Sequence, residues 1–175
     1  MPTDFSKLEM GPCTATFNAS DLGLTKGGVE VEFATEVSDI TADQFGDSVI
    51  NQVIKGRMVK AKVPLAENDL DRFATVFPGV TLVDDVANSI KKLVFNTAVG
   101  TSLRDNAAEL ILHPQHLDAA DKSRDVTIPL AMAKGDMQFA FKVDEQRVYT
   151  LEFVGYPDLD TDVLFILGDP AAVAA

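Results

Sequence analysis

The chain has 175 residues, 46% of them hydrophobic and 24% charged, with a formal net charge of −12 at pH 7. That length suits one domain with a real core, and that composition excludes global disorder. So acidic a surface repels phosphate backbones and excludes a protein that binds nucleic acid by neutralising phosphates. Its commoner consequence is solubility.

Residues 1–12 lack periodicity and end at Gly11-Pro12, which reads as an arm that orders against something else. Met1-Pro2-Thr3-Asp4 shows neither the basic nor the apolar part of a signal peptide, and no apolar run approaches the roughly 20 residues of a membrane span. A cytoplasmic product with no membrane partner is therefore expected. Cys13, Ala15 and Phe17 alternate with Thr14, Thr16 and Asn18, predicting a strand over 13–19. Cys13 is the lone cysteine, so no intrachain disulfide forms, and no neighbouring cation activates its thiol. Gly23, Gly27 and Gly28 mark a turn or bent hairpin. Val29, Val31 and Phe33 then alternate with Glu30 and Glu32 in a second strand over 28–37.

Residues 38–56 read as a long polar loop around Asp43-Gln44-Phe45-Gly46. Loops of more than about 12–15 residues in compact domains are usually functional or mobile. Ile40, Phe45, Val49, Ile50, Val53 and Ile54 are too many apolar residues for a freely solvated loop. Burying each contributes about 1.5–3 kcal/mol, enough to offset much of the ordering cost. The covering surface is either this subunit or another one.

Over 57–65, Met58, Lys60 and Lys62 oppose Val59, Ala61 and Val63 in a third strand. Glu67-Asn68-Asp69 places acidic residues in the first turn of a helix, where they favour the dipole. Leu70, Phe73, Ala74 and Phe77 share one face that packs on the sheet, and Pro78-Gly79 stops the helix. Residues 80–87 are ambiguous. Strands are expected over 92–97 and 107–113, joined around 100–106, with a polar linker over 117–124. Three strong strands follow over 126–133, 137–143 and 147–156, with turns at Gly135-Asp136 and Asp144-Glu145-Gln146. A last apolar strand over 161–168, buried on both faces, precedes a flexible tail over 169–175. About nine strands, one helix and no repeat predict a single mainly-β domain, a β-sandwich or β-barrel with one flanking α-helix.

Catalytic patterns are missing. No glycine-rich phosphate loop follows a strand, and no G-x-S-x-G occurs. His113 and His116 form an H-x-x-H string, but Pro114 disrupts the helix that would aim both at one metal. Adjacent Asp84 and Asp85 would point to opposite faces of any regular strand and so would not converge, and a solvated loop is their expected setting. Asp158, Asp160 and Asp162 resemble part of a calcium loop without its central glycine and terminal glutamate. The expectation is a chain with no catalytic residues, metal or cofactor. A metal-assisted hydrolase using His113 and His116 is the alternative.

Gly28-Val29-Glu30-Val31, Asp43-Gln44-Phe45-Gly46 and Leu65-Ala66-Glu67 entering a helix resemble the major tail tube proteins of long, non-contractile phage tails. The second half follows the same order, with AELILHP over 108–114, VTIPL over 126–130, FKVD over 141–144 and YPD over 156–158. The resemblance covers about 13–167 and carries no catalytic residue. It implies a β-sandwich with a flanking helix, shared with contractile tail tubes and the type VI secretion tube. It further implies a virion protein whose rings of six stack into a hollow tube through which DNA passes without specific binding. Its partners would be sister copies and other tail proteins: terminator, tail tip and tape measure. Within that picture the apolar residues of 38–56 are the expected inter-subunit contact, and Glu30 and Glu32 the candidates for an acidic lumen. A terminator, tail-tip or secretion-tube protein would share the same fold.

Overall fold

The computed structural model describes residues 10–97 and 99–173. The expected arm over 1–12 and tail over 169–175 therefore lie partly outside the described residues. Within the tail, Asp169 closes a turn, accepting the Ala171 N–H at 2.9 Å on its side chain and the Ala172 N–H at 3.2 Å on its carbonyl.

The chain is mainly β with one α-helix among the described residues, as its alternating pattern predicted. The strands are β1 (Cys13–Phe17), β2 (Ser20–Asp21), β3 (Glu30–Thr41), β4 (Val49–Leu65), β5 (Val80–Asp85), β6 (Ile90–Phe95), β7 (Ala108–Pro114), β8 (Val126–Gln138), β9 (Tyr149–Gly155) and β10 (Ile166–Leu167). The helix α1 spans Leu70–Val76. An antiparallel sheet runs β2-β1-β7-β8-β9-β4-β3, and β10 adds to β8. A separate hairpin pairs β5 with β6, resolving the ambiguous stretch after the helix.

The large sheet curls around one core. β1 and β9 are three strand steps apart, about 14 Å in a flat sheet. Yet the rings of Phe17 and Phe153 lie 5.2 Å apart, so the sheet has folded over to bring them together. Inward residues of β4 (Val59, Ala61, Val63, Leu65), β7 (Leu110, Leu112) and β9 (Leu151, Phe153) fill the interior. The alternation of these strands dictates that arrangement, since every second side chain faces one side. Helix α1 joins this core through Phe73, whose ring lies 5.3 Å from that of Tyr149 at the start of β9. Asp69 caps it by accepting the Asp71 N–H at 3.0 Å. Arg72 holds it down through Glu67, Asp69 and the Leu22 carbonyl. Phe73 and Phe77 are buried as expected, joined by Val76, while Leu70 and Ala74 are half-buried. The β5–β6 hairpin is fastened to the helix by Phe77 against Phe95 at 5.6 Å and by Lys91 between Asp71 and Asp84.

Four local expectations are corrected. Residues 38–56 are not a long loop: β3 continues to Thr41, β4 starts at Val49, and only a short turn with a 3-10 segment at Asp43–Phe45 joins them. Gly135-Asp136 is not a hairpin turn. β8 runs through it, and the register to β9 slips between Ala133 and Met137, so Lys134, Gly135 and Asp136 bulge outward. Gly135 adopts φ +92°, which a side-chain-bearing residue rarely takes. The expected strand over 137–143 ends at Gln138. Beyond it the Arg147 guanidinium stacks over the Phe141 ring at 3.7 Å and donates to the Tyr149 hydroxyl at 3.1 Å. Finally, only Ile166–Leu167 of 161–168 pairs as a strand, and Leu167 is exposed rather than buried on both faces. β9 pairs with β8 from Ala131 onward, the Leu130 carbonyl already accepts the Tyr156 N–H and Pro129 has no N–H to offer, so β10 meets β8 only at Val126 and Thr127.

Candidate functional site

The β3–β4 hairpin is the feature that a solitary domain does not need. β9 pairs with β4 only from Lys60 to Leu65. Outward from Met58 to Val49, β4 has β3 as its only strand neighbour among the described residues, a two-stranded ribbon roughly 30 Å long. Directly opposed residues in an antiparallel pair share a face. On one face Val37 meets Ile54; on the other Ser38 meets Val53 and Ile40 meets Asn51. Apolar residues therefore occupy both faces. Val31, Phe33, Val37, Ile40, Phe45, Val49, Ile50, Val53 and Ile54 are all between 40% and 66% exposed, Phe45 at the tip most of all. Isolated two-stranded hairpins are marginal in water, and clustered exposed apolar side chains mark interaction surfaces. All six apolar residues singled out in the sequence lie here, on paired strands and their tip rather than in a loop.

Two bulges, between Glu36 and Val37 and between Ile40 and Thr41, break the ladder. The outer edge of β3 pairs with no strand among the described residues, and bulges of this kind twist an edge away from indiscriminate pairing. Where the hairpin leaves the body, an open groove of about 620 Å³ lies between its root (Phe33, Ile54, Lys55, Arg57) and the segment carrying Leu164 and Phe165. The Phe33 and Phe165 rings meet there at 4.9 Å.

Glu30 and Glu32 are exposed on the side of β3 away from the core, as their alternation requires, but they are not a simple acidic strip. Lys62 stands opposite Glu30, with Nζ 3.9 Å from its carboxylate, and Lys60 stands opposite Glu32. Lys62 in turn opposes Glu152, which binds Lys134 at 3.3 Å. Glu30, Lys62, Glu152 and Lys134 thus alternate in sign across β3, β4, β9 and β8. The lysine partners belong to strands distant in sequence, which is why the glutamates alone suggested an acidic wall.

No protein-family profile and no curated protein matches the chain.

The two histidines have different settings. His113 Nδ1 lies 2.6 Å from the carboxylate of Asp125, which is buried, whereas His116 is exposed in the turn after Pro114. Asp125 was not singled out in the sequence; only its packing behind β7 distinguishes it from the neighbouring linker carboxylates. Asp118 and Asp121 close local turns by accepting the N–H groups of Ala120 and Ser123. Asp158 does the same, accepting from the Asp160 N–H at 3.1 Å and the Thr161 hydroxyl at 2.7 Å. Among the described residues no three His, Cys, Asp or Glu side chains converge as metal ligands. Cys13 is half-buried, and burial pushes its thiol pKa up, away from the thiolate. No helix among the described residues is long and apolar enough to cross a membrane.

Proposed function

We propose that this chain is a structural, non-enzymatic subunit of a phage tail tube. Six copies close into a ring, rings stack, and the hollow assembly conducts DNA. The observation that carries this reading is the projecting β3–β4 ribbon, with half-exposed apolar side chains on both faces and, beyond its root, no other strand beside it among the described residues. A monomer gains little from holding such a ribbon in water, whereas sister copies that cover it bury seven large side chains, Val37, Ile40, Phe45, Val49, Ile50, Val53 and Ile54. Further support comes from the outer edges of β3 and β2, which pair with no strand among the described residues and which neighbours in a ring can extend, and from the order of motifs that resembles tail tube proteins. The net charge of −12 disfavours retention of passing phosphates. Sedimentation velocity and negative-stain imaging of the purified full chain over a wide concentration range test the proposal. Rings that stack into tubes are expected. A folded monomer at every concentration would overturn it, and single rings that never stack would redirect it to a ring-capping protein of the same fold.

A further inference from the structure

The outer hairpin and its root carry opposite charge. Between Thr35 and Lys55 the chain has four carboxylates, Glu36, Asp39, Asp43 and Asp47, and no lysine or arginine. The root groove shows the reverse, with Lys55 and Arg57 against a single carboxylate, Asp162. Neither cation forms an ion pair among the described residues. The remaining groove surface is mostly apolar, with Phe33, Ile54, Leu164 and Phe165. At the other end Phe45, the most exposed apolar side chain of the hairpin, stands between Asp43 and Asp47. An aromatic ring flanked by carboxylates thus matches an apolar groove edged by cations.

We propose that the hairpin tip of one copy seats Phe45 in the root groove of a second copy, with Asp43 and Asp47 set against Lys55 and Arg57. The inference rests on the tube-subunit reading and deepens it by naming the receptor for the hairpin. The occupant is a second copy because the tip cannot reach its own groove: β4 runs extended from Val49 to Arg57, placing the two roughly 25 Å apart. Tip and groove are different surfaces, so the contact is heterologous. Each copy donates one tip and receives one, and the contact repeats without limit unless it closes. Burial of the Phe45 ring beside Phe33 and Phe165 supplies affinity. The charges fix register and speed docking, and they reject a tip presented to an acidic surface.

Charge reversal tests this on the full chain, with the critical concentration for assembly as the readout and thermal melting of dilute protein as the fold control. Asp43→Lys with Asp47→Lys reverses the tip; Lys55→Glu with Arg57→Glu reverses the groove. Each pair alone is expected to raise the critical concentration at least about tenfold, because like charges then face each other. All four together are expected to return it towards the wild-type value. Where a reversal lowers the melting temperature, alanine at the same positions replaces it and is expected to weaken assembly in the same direction. Wild-type assembly that neither pair impairs, or that the four-fold variant fails to regain with its fold intact, overturns the tip-in-groove contact and leaves the tube reading standing. Wild-type protein that does not assemble at all overturns the tube reading itself.

Discussion

Gly155 sits where β9 is squeezed between its neighbours. A Cβ at this position would lie 2.3 Å from Val59 Cγ1 on one side and 2.8 Å from Ile128 Cγ2 on the other, both side chains fully buried. Gly155→Val is therefore expected to destabilise the domain by about 1–3 kcal/mol, the usual cost of overpacking a core that cannot give, read as a lower denaturation midpoint. Asp158 gives a pH-dependent counterpart on the surface. The Thr161 hydroxyl and the Asp160 N–H bind its ionised form and hold its carboxyl below the ordinary aspartate value. A depressed folded pKa means that its stabilisation of the turn is present above the unfolded value, near pH 4. It is lost as pH falls through the lower folded value. The Asp158 carboxyl followed by NMR is expected to titrate below an ordinary aspartate, and Thr161→Val is expected to move its midpoint back up.

At the scale of elements, the β3–β4 ribbon is expected to be the least protected paired structure in the monomer and to gain protection on assembly. Hydrogen exchange of residues 37–54 in dilute and assembled protein measures this directly. Phe45→Asp is expected to change monomer stability by less than about 0.5 kcal/mol, as for other exposed positions, while impairing stacking. Unfolding of that variant would place Phe45 in the core. The same ribbon shows what the sequence conceals. The body strands were legible because one face is buried, which forces period-two alternation in β1, β4, β7 and β9. In the ribbon neither face is buried, so Val37, Ile40, Val53 and Ile54 fall on both sides, and two bulges shift the phase. Alternation vanished, and residues 38–56 read as a loop. Their apolar content still singled them out, because composition survives where period does not. Gly135 misled in the opposite way: glycine at positive φ serves a bulge as well as a turn, and only the register between β8 and β9 separates the two.

For the whole molecule, stability and association are expected to be one quantity. If neighbours cover the ribbon and the free edge of β3, the melting temperature must rise with protein concentration by mass action. A differential scanning series across two decades of concentration checks this, and a flat melting temperature would count against any assembly. The −12 charge opposes close approach of copies, which leaves short-range contacts to determine who binds whom. The alternating row of Glu30, Lys62, Glu152 and Lys134 has a consequence of its own. Signs that flip every strand, about 4.8 Å apart, cancel one another a few ångströms above the sheet, well inside the roughly 8 Å over which a single charge is felt in physiological salt. A polymer gliding over that patch would meet a nearly level electrical landscape, with no well deep enough to catch it and no ridge high enough to stall it.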